Sequence, residues 1–289
     1  MESQTCYYMV MNLNDSSGVR APEFPGGLTW LNLPAGSDLA NLKIADLRGR
    51  VILVDFWTYS CINCQRTLPY LNQWYEKYKD KGLIIIGVHS PEFEFEKKEE
   101  NVKEAIRKYK VSWPVVIDSQ MQIWGSYGNN YWPAKYLINH EGKIIFTHFG
   151  EGNYIETELK IQDALREAGF QVPNTVTGGE DFKLASNQTP ELYFGSWRGN
   201  IINIPQDIAI KKDQIYTIGE WNLEADHIQH ARETKDLDDL IVLSYTAKDV
   251  YLVMSTENKE QIKVYVTLDG IGLNDSNVGR DVKFDGAGR

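Results

Sequence analysis

Val51-Ile52-Leu53-Val54-Asp55-Phe56-Trp57-Thr58-Tyr59-Ser60-Cys61-Ile62-Asn63-Cys64 is the stretch that decides how the rest of this chain is read. From Val51 to Trp57 it is a continuous apolar run broken only by Asp55, the pattern of a central strand covered on both faces. Beyond Cys64 the apolar residues Leu68, Leu71, Trp74, Tyr75 and Tyr78 recur at helical spacing. The Cys-x-x-Cys pair therefore stands at a helix start. Unpaired backbone N–H groups and the positive end of the helix dipole favour a thiolate on the first sulfur there. The second sulfur lies one turn on, within reach of a mixed disulfide made by the first. Cys61 reads as the nucleophile and Cys64 as the resolving thiol.

Other uses of two cysteines fit less well. A structural zinc site needs four ligands, and the chain has no second Cys-x-x-Cys and no paired histidine motif. A c-type haem attachment needs histidine after the second cysteine, where Gln65 stands. The remaining cysteine, Cys6, sits alone near the N-terminus and reads as incidental. The 289 residues suit two domains, and 42% hydrophobic with 24% charged residues describes an ordinary globular protein. A net charge of −10 argues against nucleic acid and anionic membrane surfaces as partners. No stretch reaches the roughly 18 apolar residues of a membrane helix. Met1-Glu2-Ser3-Gln4 lacks the basic and apolar regions of a signal peptide. A cytosolic protein and a soluble piece of something larger both remain open on these grounds.

Outward from the motif, Ala21 to Pro34 is rich in Pro, Gly and Trp and reads as an irregular lead-in. Leu83–Val88 is a second buried strand, Glu96–Lys110 an amphipathic charged helix, and Val115–Ile117 a short strand closed by Asp118. Lys135–Asn139 and Lys143–His148 form a hairpin turning at Glu141-Gly142, and Ile155–Ala168 is a closing helix. Strands alternating with helices give an α/β layer fold. After Phe170 the pattern changes. Pro173–Glu180 reads as a linker, and the segments Ile215–Ile218, Leu240–Tyr245, Val250–Met254 and Ile262–Leu268 read as strands of an antiparallel β-sandwich. The expected organisation is a lead at 1–20, an α/β domain at 21–172, a linker at 173–180 and a β-domain at 181–289.

Val54-Asp55-Phe56-Trp57 leading to Cys61-x-x-Cys64, with Pro69 inside the next helix, resembles the thioredoxin superfamily. More narrowly, Phe56 to Cys64 together with Gly87-Val88-His89-Ser90-Pro91-Glu92-Phe93 is similar to TlpA/ResA-like proteins of the DipZ branch, over roughly Ala21 to Phe170. The resemblance implies an α/β thioredoxin fold followed by an all-β jelly-roll-like sandwich akin to a carbohydrate-binding module. The chain reaches Asp281–Arg289 earlier than such a sandwich closes, so an incomplete one is expected. It also implies a thiol–disulfide oxidoreductase, working as a disulfide reductase outside the cytoplasm. Its partners would be protein thiol/disulfide clients and a membrane electron donor. It needs no cofactor beyond the redox-active Cys61–Cys64 disulfide, and no metal.

The same resemblance assigns supporting residues. Asp55 matches a buried acid placed behind the second cysteine. A carboxylate in an apolar strand has a raised pKa and can accept the Cys64 proton, and on this reading its removal relieves the fold of a buried ionisable group. Glu92 stands in the loop where the family carries an acid near the disulfide. Pro133 stands where thioredoxin folds hold a cis-proline facing the disulfide, which lets the Trp132 backbone pair with an extended client strand. Trp57, Tyr59 and Trp132 then form an aromatic wall, with Trp124 left to core packing. In the β-domain, Tyr193, Trp197 and Trp221 are either core residues or platforms for a glycan. The rival function is accordingly a glycan- or protein-binding module with an accessory thioredoxin domain.

Overall fold

A computed structural model of the chain describes residues 18–33, 42–177, 187–204, 209–234, 237–256, 263–279 and 282. Cys6, residues 178–180 of the expected linker and Ile262 lie outside that set. The chain divides into two units, Met1–Lys183 and Leu184–Arg289.

The first unit is built on seven strands: β1 (Val19–Arg20), β2 (Thr29–Leu31), β3 (Val51–Trp57), β4 (Leu83–His89), β5 (Val115–Ile117), β6 (Ala134–Ile138) and β7 (Lys143–Phe149). Their order in the sheet is β1-β7-β6-β3-β4-β5-β2. β3, β4 and β5 run parallel, whereas β6 returns antiparallel to β3 and β7 antiparallel to β6. Helices α1 (Ile62–Tyr78), α2 (Glu99–Tyr109), α3 (Gln122–Ser126) and α4 (Tyr154–Glu167) complete the thioredoxin-like α/β fold.

Alternation along β3 divides the core. Val51, Leu53 and Trp57 share one cluster with residues of α1, α2 and α4, including Cys64, Leu68, Trp74, Val102 and Ile161. Ile52, Val54 and Phe56 share the other with Phe24, Ile44, Ile123 and Tyr127. Two-residue periodicity thus turns Asp55 toward the α1 face, the side that holds Cys64. All seven β3 residues are buried, as the uninterrupted apolar run implies.

Two local readings change. The supposed irregular segments supply both sheet edges: β1, from the 1–20 lead, pairs with β7, and β2, from the Ala21–Pro34 lead-in, pairs with β5. Pairs of two and three residues leave no periodic signal, and it is the neighbouring strand that makes them strands. The charged helix does not begin at Glu96. Glu94–Lys97 is a separate 3-10 turn, and α2 starts at Glu99 and is closed by Lys110 in the left-handed conformation.

Among the described residues the second unit is β-rich and without helix. It has a three-stranded sheet of β8 (Ile201–Asn203), β9 (Gln214–Ile218) and β12 (Leu240–Ser244), in the order β12-β9-β8, and two hairpins; β12 is antiparallel to β9 but β8 is parallel to it, so the unit is not the all-antiparallel arrangement expected. The hairpins are β10 (Trp221–Leu223) with β11 (Ile228–His230), and β13 (Thr267–Leu268) with β14 (Ile271–Gly272). Val250–Met254, an apolar run, and Val264–Val266, part of an alternating one, are exposed and outside any strand. An alternating segment becomes a strand only when another backbone pairs with it. No helix among the described residues is long and apolar enough to cross a membrane.

The segment that follows α4 is bound to it rather than free. Buried Glu158 accepts hydrogen bonds from Lys77 Nζ (2.8 Å), Tyr78 Oη (2.6 Å), Thr177 N (2.5 Å) and Thr177 Oγ1 (3.0 Å). The carbonyl of Thr175 accepts from Lys77 Nζ at 2.5 Å and from Gln162 Nε2 at 2.9 Å. A fragment ending at Val172 loses these partners, and one ending at Lys183 keeps them. With about 1.5–3 kcal/mol per hydrogen bond to a charged group, the shorter fragment should melt several degrees lower. Calorimetry of the two fragments checks this, and equal melting temperatures would make the segment a true linker.

Candidate functional site

The C-terminal ends of β3 and β4 lie side by side because the two strands are parallel, with Trp57 opposite His89. The N-terminal end of β6 meets them because it is antiparallel, with Phe56 opposite Ala134. Three loops therefore converge at the start of α1. Cys61 is the N-cap of that helix, in extended conformation, and its Sγ accepts the backbone N–H of Cys64 at 3.2 Å. Both cysteines are free thiols, Cys61 half-buried and Cys64 fully buried. Burial pushes the Cys64 thiol well above its ordinary value, and Cys61 and the charge of Asp55 push the same way.

Asp55 is on the strand behind them. Its cross-strand neighbour on β6 is Lys135, and Lys135 Nζ stands 3.3 Å from Asp55 Oδ1 with both side chains 1% exposed. Neither group has an aligned hydrogen bond, so the contact is electrostatic. Desolvation raises the Asp55 pKa, with Lys135 offsetting part of the rise. Sequence reading missed Lys135, since a lysine in a strand of a hairpin reads as solvent-facing. The Lys135 contact reverses the effect expected from removing Asp55. An uncompensated ammonium would be left behind, and the fold would be burdened rather than relieved. On the other flank of Asp55 the β4 neighbour is Gly87, where an added Cβ would lie 3.0 Å from Trp57 Nε1 and 3.2 Å from Trp113 Nε1. A side chain there would press on both indoles.

The aromatic residues gather around the pair. Trp57, Tyr59, Cys61 and Trp132 all pack in the cluster that contains Cys64. His89 lies between Trp57 (centroids 5.3 Å, edge-on) and Tyr59 (5.7 Å, stacked). The indole of Trp132 donates to the Ser90 carbonyl at 2.9 Å and lies 4.1 Å from the Trp124 ring, while the Trp132–Pro133 peptide bond is cis. Trp124 in turn meets Phe56 edge-on in the opposite core cluster, in line with a packing role.

The acid that reaches the Cys61 loop is Glu96. Its buried carboxylate accepts from Ser60 Oγ at 2.5 Å and from the N–H of Glu92 at 2.6 Å. Glu92 is half-buried and meets that node through its backbone. Glu96 takes the N–H of Phe93 three residues before it, but Phe93 is not the Ser or Thr of a capping box, so the local sequence gave no signal for it.

In the second unit Trp197 is 79% exposed, while Trp221 donates its indole N–H to the Ile218 carbonyl at 3.0 Å and packs against His230. The Arg198 guanidinium lies over the Tyr193 ring at 4.1 Å. A cleft of about 170 Å³ is lined by Glu191, Tyr193, Arg198, Asn200 and Gln214, among others.

Comparison with known proteins gives two family matches in register with the two units. Residues 18–147 match the AhpC/TSA family, and residues 189–289 match the thioredoxin-like C-terminal domain. Protein DipZ of Mycobacterium tuberculosis is 38% identical over 253 residues, covering 81% of this chain and 35% of the relative. The chain thus spans about a third of the length of the DipZ relatives it matches. The thiol-disulfide oxidoreductase ResA of Bacillus cereus is 34% identical over 121 residues, covering 42% of this chain and 67% of the relative. A solved thiol:disulfide interchange protein DsbE from Chlorobium tepidum is 27% identical, covering 51% of this chain and 96% of its own, with a TM-score of 0.43.

The buried pair makes a quantitative prediction. Asp55→Asn and Lys135→Met should each destabilise the fold by about 3–5 kcal/mol, because each leaves one buried charge without its partner. The double variant should recover much of that loss. Urea denaturation at neutral pH reads the cycle, and additive losses would show that the two groups do not interact.

Proposed function

This chain belongs to the TlpA/ResA-like family of thioredoxin-fold thiol–disulfide oxidoreductases, and from that premise we propose that it reduces disulfides in extracytoplasmic protein clients through Cys61 and Cys64. The observation that carries the reading is the asymmetry of the two sulfurs. Cys61 Sγ is half-exposed with a backbone N–H aimed at it, and Cys64 is buried beneath. Cys61 as thiolate attacks one sulfur of the client disulfide. The client S–S bond breaks, its other sulfur leaves as a thiolate that takes up a proton, and a mixed disulfide remains. Cys64 then loses its proton and attacks Cys61 Sγ, closing the Cys61–Cys64 disulfide and releasing the second client thiol. Two electrons pass to the client.

Burial holds Cys64 as a thiol until that second step, so a base is needed. Asp55 is the group behind it, with a pKa raised by desolvation toward the range where it can take a proton. Lys135 keeps the carboxylate available. The burial of Cys64 also supports the reducing direction, since the dithiol gains no second stabilised thiolate. The DipZ resemblance supports a membrane donor as the source of electrons and an extracytoplasmic location. Trp57, Tyr59, Trp132 and Pro133 serve as the client-facing wall in this reading.

A second reading rests on Trp197, whose exposed indole stands in sequence between two residues of the polar cleft. The β-unit, which we infer to be a jelly-roll-like sandwich, would then hold a glycan through it. Trp221, spoken for by Ile218 and His230, is left out of that site. On a glycan array Trp197→Ala should abolish whatever signal the parent protein gives. Signal retained in that variant would remove Trp197 from any sugar site.

For the main reading, insulin reduction with a dithiol donor should be lost in Cys61→Ser, and Cys64→Ser should accumulate client-linked mixed disulfides. In the parent, resolution should speed up as pH rises through the raised Asp55 pKa, because the ionised form is the base. Asp55→Asn should lose that pH dependence and resolve slowly near neutrality. Trapping by Cys61→Ser instead of Cys64→Ser would reverse the thiol assignment.

A further inference from the structure

Glu96 is a charged residue with no exposure, placed in the 3-10 turn Glu94–Lys97 rather than in the cysteine motif. All its acceptor capacity is directed at two loops. Oε1 takes the Ser60 hydroxyl at 2.5 Å and the Ser60 N–H at 3.4 Å, and Oε2 takes the N–H groups of Glu92 at 2.6 Å and Phe93 at 2.9 Å. Ser60 is the residue immediately before Cys61. A second tie runs parallel to the first. Tyr59 Oη donates to the Phe95 carbonyl at 3.2 Å, and Asn101 Nδ2 donates to both Tyr59 Oη and the Phe95 carbonyl at 3.1 Å. The backbone entering the nucleophile is thus held from one side by a buried carboxylate, and the loop after β4 is held to it.

We propose that Glu96 is a positioning residue for thiol–disulfide exchange, acting through Ser60 to set the place of Cys61 at the start of α1. This rests on the reading of Cys61 as the attacking thiol. Four donors converge on one buried carboxylate, and a backbone N–H cannot turn into an acceptor. Removing the carboxylate takes one shared partner from four half-buried donors, so the Cys61 loop is free to shift as they find others. Attack requires the sulfur in line with the client S–S bond, and small displacements of a reacting atom are expensive in rate. The Glu96→Gln and Glu96→Ala variants should behave differently. In Glu96→Gln the amide oxygen can keep the Glu92 and Phe93 donors while its NH2 group donates to the Ser60 hydroxyl, which can turn to accept.

The test uses the full chain in a Cys64→Ser background, where attack by Cys61 on a client disulfide stops at the mixed disulfide and its formation is followed in a single turnover. Ser60→Ala and Glu96→Ala should each slow that step about tenfold at saturating client. Glu96→Gln should cost only about threefold. Ser60→Ala removes one hydroxyl and leaves the three backbone donors to Glu96 in place, so it should still fold and remains informative where Glu96→Ala folds poorly. If Glu96 acts through Ser60, the double Ser60→Ala/Glu96→Ala variant should attack no more slowly than Glu96→Ala. Folded Ser60→Ala and Glu96→Ala that attack at the parent rate would overturn the proposal, as would losses that multiply in the double variant. A Cys64→Ser parent that traps no client would fail at the nucleophile assignment itself, and so is distinguishable.

Discussion

One buried acid sets the terms for this site. Asp55 lies in the middle of the central strand, where β3 is covered on both faces, and two-residue alternation aims it at α1 and Cys64. Burying a carboxylate there is costly, and the neighbouring strands divide the response. β6 brings Lys135 directly opposite, and β4 brings Gly87, which leaves the other flank to the Trp57 and Trp113 indoles. Shifting β6 by one residue would turn Lys135 to the other face and place an apolar neighbour beside the acid. The register of the β3–β6 pair is thus part of the chemistry, and the chain after the Trp132–Pro133 loop has to enter the sheet at one place.

Topology explains why the rest of the site lies at the same end. Parallel β3 and β4 both finish there, and antiparallel β6 begins there, so loops from residues 58–61, 90–96 and 131–133 meet over the α1 N-terminus. Open α/β sheets use the carboxyl ends of their parallel strands in this way. Each loop is then pinned by a different polar tie. Glu96 holds Ser60, Trp132 donates to the Ser90 carbonyl, and Asn101 joins Tyr59 to Phe95. The sulfur pair is positioned by its surroundings more than by its own four residues.

What could be read in the sequence follows the same division. The apolar run, the Cys-x-x-Cys and the helical spacing after it are local patterns, and they place β3, α1 and both cysteines. Lys135 and Glu96 are legible only through partners 80 and 36 positions away. A lysine in a hairpin and a glutamate among Glu94, Lys97 and Lys98 look like solvated charge until register or a 3-10 turn buries them. Glu92 drew attention because its neighbourhood resembled a family motif, yet at this node it contributes a backbone N–H. In the second unit the difficulty is reversed. Val250–Met254 is an apolar run of strand-like composition, but composition alone makes no ladder, and the segment lies exposed and outside any strand among the described residues.

His89 and Asp55 show how one kind of burial acts on two titratable groups. His89 is the histidine near the pair, and histidine is the usual general base. Yet burial lowers its pKa to about 3, its Nε2 stands 3.4 Å from Thr58 Oγ1, and its ring is held between Trp57 and Tyr59. An imidazole that weak takes up no second proton near neutral pH. The same desolvation acts on Asp55 with the opposite result, because burial penalises whichever form carries charge. For imidazole that form is the protonated one, so burial makes a poorer base. For a carboxyl it is the deprotonated one, so burial makes a stronger base, and Lys135 offsets part of the rise. In one apolar environment the histidine is left to packing, while the aspartate's hold on a proton is raised, the property its proposed role requires.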